Sequence, residues 1–152
     1  MLLNHAGIAG LIPHDGAMCL LGGVVSWDAS RIRCTSRSHR DPDNPLRADG
    51  RLPALCAIEY AAQAMAVHGG LAGSISAPPR SGFLASVRGV IINRDRFDDL
   101  EDELIVDAEK VLGDEGRVIY QFAVHAGGLP IVSGRAAVVL DTAFIHSSRT
   151  PT

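Results

Sequence analysis

The sequence predicts an α+β fold in which one curved antiparallel sheet wraps around a single central helix. Three observations predict it. Only one segment, about residues 54–68, combines helical apolar spacing with a run of alanines. On either side of it, short runs of apolar and β-branched residues are divided by glycine, proline and aspartate. No helical segment separates the strands after it, so hairpins rather than crossovers join them, and the sheet is antiparallel.

The elements follow in order. Residues 1–12 hold Ile8, Leu11 and Ile12 among glycines, consistent with either a short helix or an ordered arm. Ile12-Pro13-His14-Asp15-Gly16 is turn-like, because proline restricts its predecessor and glycine follows closely. Met18–Trp27 reads as a first strand, bent or bulged at Gly22-Gly23, and Arg31–Ser36 alternates as a second. Ser38–Pro53, rich in proline, glycine and aspartate, is a long ordered loop of the kind that often carries function.

A helix runs from Ala54 to His68, with Leu55, Ile58, Ala62, Met65 and Ala66 at helical spacing. Its alanines make it thin and largely apolar all round, which suits the interior. Gly69-Gly70 stops it. After a loop over 73–81 come four more strands, at Phe83–Ile92, Leu104–Glu109, Val118–His125 and Ile131–Leu140. Gly113–Gly116 and Gly127-Gly128 are hairpin connections. The order is β-β-α-β-β-β-β, one domain over residues 1–145 with a flexible tail at 146–152.

Composition narrows the function classes. Apolar residues make up 47% and charged residues 20%, a globular balance without a span long enough for a bilayer. A net charge of −3 gives no basic face for nucleic acid. Cys19, Cys34 and Cys56 have no metal-like spacing and read as reduced thiols, small and buried, of a cytoplasmic protein. No metal site is indicated, because no ligands converge at regular spacing.

Glu59 is the most informative residue. A carboxylate on an interior helix, among Ala57, Ile58, Tyr60, Ala61 and Ala62, is costly unless paired or neutral. That environment raises its pKa and suits it to act as an acid or to polarise a leaving hydroxyl; the plain alternative is a glutamate at a helix start, favoured by the macrodipole. The backbone amides near Pro53, Ala54, Leu55 and Cys56 lack intrahelical partners and could bind a thioester oxygen. His14, before the first strand, and His39, ahead of the helix, are candidate bases, while His68 reads as a C-terminal helix residue complementing the dipole. Cys56 lies where a helix start stabilises a thiolate but has no evident base beside it. Ser36 and Ser38 near His39 lack the G-x-S-x-G elbow of a serine hydrolase.

These residues resemble a known family. Ile12-Pro13-His14-Asp15-Gly16-Ala17-Met18-Cys19-Leu20-Leu21 is similar to the leucine-proline-histidine segment of β-hydroxyacyl-ACP dehydratases, which have the hot-dog fold. Leu52-Pro53-Ala54-Leu55-Cys56-Ala57-Ile58-Glu59-Tyr60-Ala61-Ala62-Gln63 resembles the start of their central helix with its glutamate, and Phe83–Val87 their third strand. Ser38-His39-Arg40, Asn44–Arg47 and Gly50–Ala54 fit the ApeP-like subgroup of aryl-polyene-type clusters. The similarity spans about residues 11–140. It implies dehydration of a 3-hydroxyacyl chain on an acyl carrier protein, without a cofactor, at a dimer interface where Glu59 faces a histidine of the other subunit.

One departure stands out. The family's catalytic histidine lies in a glycine-histidine-phenylalanine-proline-glycine segment ahead of the helix. Here Arg51 fills that place in the nearest local match, and Pro45 fills it in a gap-free count from Glu59. The base then comes from His14 or His39, with His14 favoured by the resemblance, or the chain is half of a heterodimer with another hot-dog subunit. A homodimer, a non-catalytic half-site subunit and an acyl-thioesterase on the same fold are the other readings. Arg80, Arg88, Arg94 and Arg96 are available to an acidic carrier.

Overall fold

The computed structural model describes residues 2–11, 18–72, 82–114 and 116–140. The turn at 12–16 with its His14, the loop at 73–81 and the tail after 140 lie outside the described residues. The elements are β1 (Leu3–Asn4), α1 (His5–Ala9), β2 (Gly23–Trp27), β3 (Arg31–Ser36), α2 (Ala57–Ala72), β4 (Gly82–Ile92), β5 (Leu104–Gly113), β6 (Arg117–Ala126) and β7 (Leu129–Leu140). They form one seven-stranded sheet in the order β1-β2-β3-β5-β6-β7-β4. Every pairing is antiparallel.

Register explains the layers. Cys34, Val106, Val124 and Val132 stand opposite one another across four strands, and all are buried. This row, with Ile32, Ala108 and Phe122 beside it, forms the face that packs on α2. Shifting any strand by one residue would turn its apolar set outward. On the other face, Arg31, Glu109, Gln121, Arg135 and Arg88 make a polar row across five strands. Ala57, Ala61 and Ala64 are fully buried on α2, and their small side chains let helix and sheet approach closely. Register shifts in β2, β4, β5 and β6 bend the sheet around the helix.

Several boundaries differ from the sequence reading, for physical reasons. Residues 1–12 supply both alternatives, since Leu3–Asn4 pairs with β2 and α1 follows, its Gly7 amide capped by Asn4 Oδ1 at 3.0 Å. The first long strand begins at Gly23 rather than Met18, because side chains instead of a ladder take the backbone of 18–20: Gln63 Nε2 donates to Met18 O at 2.6 Å, and Leu20 N donates to Gln63 Oε1 at 2.9 Å. The central helix opens with a 3-10 turn over Ala54–Cys56 and continues past Gly69-Gly70 to Ala72. Glycine costs about 1 kcal/mol per helical position, yet Gly70 packs beside Leu11, where a Cβ would lie 3.5 Å from Cδ2. Packing overrides propensity there. Gly127 and Gly128, at φ 56° and 81°, make the tight β6–β7 hairpin that their sequence predicts.

Candidate active site

The start of α2 is held by a segment forty residues downstream. Leu52 N donates to Asp98 Oδ1 at 2.8 Å, Phe97 N to Leu52 O at 3.1 Å, and Ala54 N to Asp95 O at 2.9 Å. Asp98 is buried and pairs with Arg96. The Arg96 guanidinium, followed by the Leu52 amide, holds the Asp98 carboxyl down to about 2 against the opposing effect of burial. Arg94 donates to Arg96 O at 2.7 Å and reaches Asp99 at 3.2 Å. Arg94 and Arg96, candidates for carrier docking, are therefore tied into the clamp that fixes the helix start. Arg88 is exposed on the outer sheet face, and Arg80 lies outside the described residues.

Four expected contact positions sit on this clamp. Pro53 has no N–H, Ala54 N is taken by Asp95 O, and Cys56 N donates to Pro53 O at 2.9 Å. Within 53–56, the Leu55 amide is the one left to meet a ligand among the described residues. Its side chain is 58% exposed. Cys56 does not become an activated thiol at the helix start. Burial pushes its pKa up, and the negative charge of Glu59 adds to the shift.

Glu59 stands in the first turn of α2 and is half-buried, less enclosed than a fully interior helix would make it. One turn on, on the same helical face, Gln63 is fully buried. Its carboxamide clamps Met18 and Leu20, so the strip of chain leading into β2 lies along the helix near Glu59. Leu20 O is also held by Ser36 Oγ at 2.6 Å and Ser38 Oγ at 2.8 Å.

Behind Glu59 the neighbouring side chains are saturated. Asn44 Nδ2 donates to Tyr60 Oη at 3.0 Å, and Tyr60 Oη lies 2.8 Å from Ser38 Oγ. Since Ser38 gives its proton to Leu20 O, the chain of donors runs Asn44, Tyr60, Ser38, Leu20 carbonyl. The Ser36 and Ser38 hydroxyls are thus engaged structurally, on Leu20 O, Tyr60 and each other.

His39, the second candidate base, lies in the interior. It is fully buried, with Nε2 donating to Leu100 O at 2.8 Å and its ring stacked 6.3 Å from that of Phe97. Burial chiefly lowers its pKa. The loop that carries it folds under Phe97 and away from solvent, so the structure does not bring His39 to an open site with Glu59. A cleft of about 310 Å³ does open nearby, lined by Cys19, Leu20, Asn44 and Pro45. Pro45, at the gap-free position of the family's histidine, is a non-ionisable wall of it.

Sequence reasoning missed Gln63, Tyr60, Asn44 and Asp98. A glutamine inside an otherwise apolar helix was the available signal, because a buried amide must find partners. Among the described residues, no group of three or more His, Cys, Asp or Glu side chains could hold a metal.

A family model described as ApeP dehydratase, of the ApeP-like family, matches residues 6–146. The chain belongs to the ApeP-like dehydratase family. It is accordingly a hydro-lyase of hot-dog fold, as the helix motif around Glu59 implied. Among solved structures it is similar to the dehydratase heterocomplex ApeI:P from Xenorhabdus doucetiae, at 25% identity over 94% of this chain and 97% of that one, with a TM-score of 0.79. It also resembles a mutant thioesterase from Pseudomonas aeruginosa, at 11% identity over 79% and 80% of the two chains, TM-score 0.59. A hypothetical thioesterase with coenzyme A from Streptococcus pneumoniae gives 10% identity over 78% and 84%, TM-score 0.58. These two share the fold alone with this ApeP-like chain. No match was found among curated proteins.

Proposed function

We propose that this ApeP-like dehydratase eliminates water from a 3-hydroxyacyl thioester on an acyl carrier protein, in fatty-acid- or aryl-polyene-type biosynthesis, paired with a second hot-dog subunit in the cytoplasm. The observation that carries the reading is the family match over residues 6–146. In the reaction, an imidazole takes the C2 proton, the C3–O bond breaks, and the Glu59 carboxylic acid protonates the departing hydroxyl. Water leaves and the enoyl thioester keeps its C–S bond. The Leu55 amide, at the start of α2, would hold the thioester oxygen as negative charge builds there.

The imidazole is either His14 or a histidine of the second subunit. One observation supports His14: Gln63 holds Met18 against α2 one turn from Glu59, and the four residues of chain before Met18 can span at most about 14 Å. The need for a partner rests on exposed apolar surface. β4 is an edge strand with Leu84, Ile91 and Ile92 exposed, and Leu55 is exposed beside Glu59. Such an edge calls for cover. Similarity to a dehydratase heterocomplex favours a different chain over a second copy.

The test is an intact-mass assay on a 3-hydroxyacyl carrier thioester, with the protein alone and with a second hot-dog subunit. The expected result is loss of one water from the acyl chain, greatest in the mixture. Free carrier thiol would make the protein a thioesterase, and an unchanged acyl chain in both arms would end the dehydratase reading.

A further inference from the structure

The outer face of the sheet carries a second cluster of charged side chains, away from Glu59. Arg88 on β4 and Arg135 on β7 are direct cross-strand partners. Like charges directly opposite in a sheet are destabilising unless something offsets them. The rest of the row offers no relief. Arg135 faces Gln121, which is neutral, and the next residue along, Glu109, is taken by Arg31 at 3.0 Å. In the adjacent row Asp107 is taken by Arg33 at 2.7 Å. Among the described residues neither Arg88 nor Arg135 has an ion-pair partner.

The two guanidiniums do not stand on a flat surface. They border a cleft of about 360 Å³ that also contains Gly89, Ile91, Gln121, Ser133 and Gly134. Gly89 has φ 61° in a register break between Arg88 and Ile91, a conformation that disfavours any side chain. Gly134 lies on the core-facing side of β7, where a Cβ would meet the Arg88 carbonyl and the buried Phe122 ring, both at 3.2 Å. The break also leaves Gly89 and Val90 outside the ladder with β7. The wall is thus rich in donors, namely two guanidiniums, the Gln121 amide and the Ser133 hydroxyl, with no carboxylate in it.

We propose that this cleft binds a phosphate group. Two guanidiniums offer paired N–H donors to a tetrahedral oxyanion, and phosphate accepts several hydrogen bonds at once where a carboxylate presents one plane. The recess, at the lower end of ligand-site volumes, admits a phosphate group more readily than the flat face of a protein. The shared chemistry is the phosphate itself, as the free ion or as a small phosphomonoester.

The experiment follows backbone amide resonances of the full chain during separate titrations with inorganic phosphate, glycerol 3-phosphate and an Asp/Glu-rich peptide. Saturable shifts at Gly89, Ser133 and Gly134 with either phosphate are expected, and the stronger binder identifies the source. Arg88→Gln and Arg135→Gln should each weaken binding by about tenfold. Arg117→Gln, elsewhere on β6, should leave binding unchanged. Shifts that do not saturate, that survive both substitutions, or that appear with the peptide alone would overturn the proposal.

Discussion

The two ends of α2 are built differently. At the carboxyl end, His68 is 1% exposed and both ring nitrogens are engaged. Nε2 lies 2.8 Å from Asp28 O, a carbonyl that can only accept, so Nε2 carries the proton. Nδ1 therefore accepts from Tyr120 Oη at 2.7 Å, and the imidazole is neutral. At the amino end, Glu59 is half-buried and Leu55 is exposed, next to the clamp that Asp98 makes on Leu52. One end is closed by the chain itself; the other presents chemistry at an apolar surface. A histidine in the closed end is part of the architecture, whereas the carboxyl group at the open end is only half-buried.

That contrast can be broken from either side. Asp98→Ala removes the acceptor for Leu52 N and leaves Arg96 without its partner, loosening the open end. The expected loss is about 2–3 kcal/mol by denaturant unfolding, the largest stability effect among these variants. Tyr120→Phe strips His68 Nδ1 of its donor and should cost about 1–2 kcal/mol, while dehydratase activity at permissive temperature stays near wild type. Equal damage to activity from both variants would erase the distinction between the ends.

Acid sharpens it further. His68 and His39 both have pKa values pushed below the ordinary 6.5, chiefly by burial. The unfolded chain therefore binds protons more readily than the folded one below that pH. Their contribution to stability is full above about pH 6.5 and declines as pH falls toward the depressed folded values. Tm should drop between about pH 7.5 and about pH 5.5, and the drop should be shallower in His68→Gln. Leu55→Ser should change the stability of the isolated chain by no more than about 0.5 kcal/mol. Its effect should appear instead as weaker association with the second subunit, measured by sedimentation.

Much of this contrast was legible in the sequence. Alternation fixed Arg31–Ser36 to the residue, and the alanine-rich run placed Glu59 on the interior helix. What could not be read depended on partners distant along the chain. His39 looked available until Phe97 and Leu100 closed over it. Met18–Leu20 looked like strand because nothing local reveals that Gln63 claims its backbone. Gly69-Gly70 looked like a stop because the helix beyond it is held by tertiary packing, including Leu11. The Arg96–Asp98 clamp was hidden for the same reason, since its target, Leu52, lies 46 positions away.

Glu59→Gln is the most direct measurement, because it keeps the shape of the side chain and removes the acid. With wild-type Tm retained, the account predicts that water elimination from the 3-hydroxyacyl thioester falls by about 10²–10⁴-fold while the substrate still binds. Unchanged turnover in that variant would contradict the role given to Glu59 and, with it, the catalytic reading of the open end of α2.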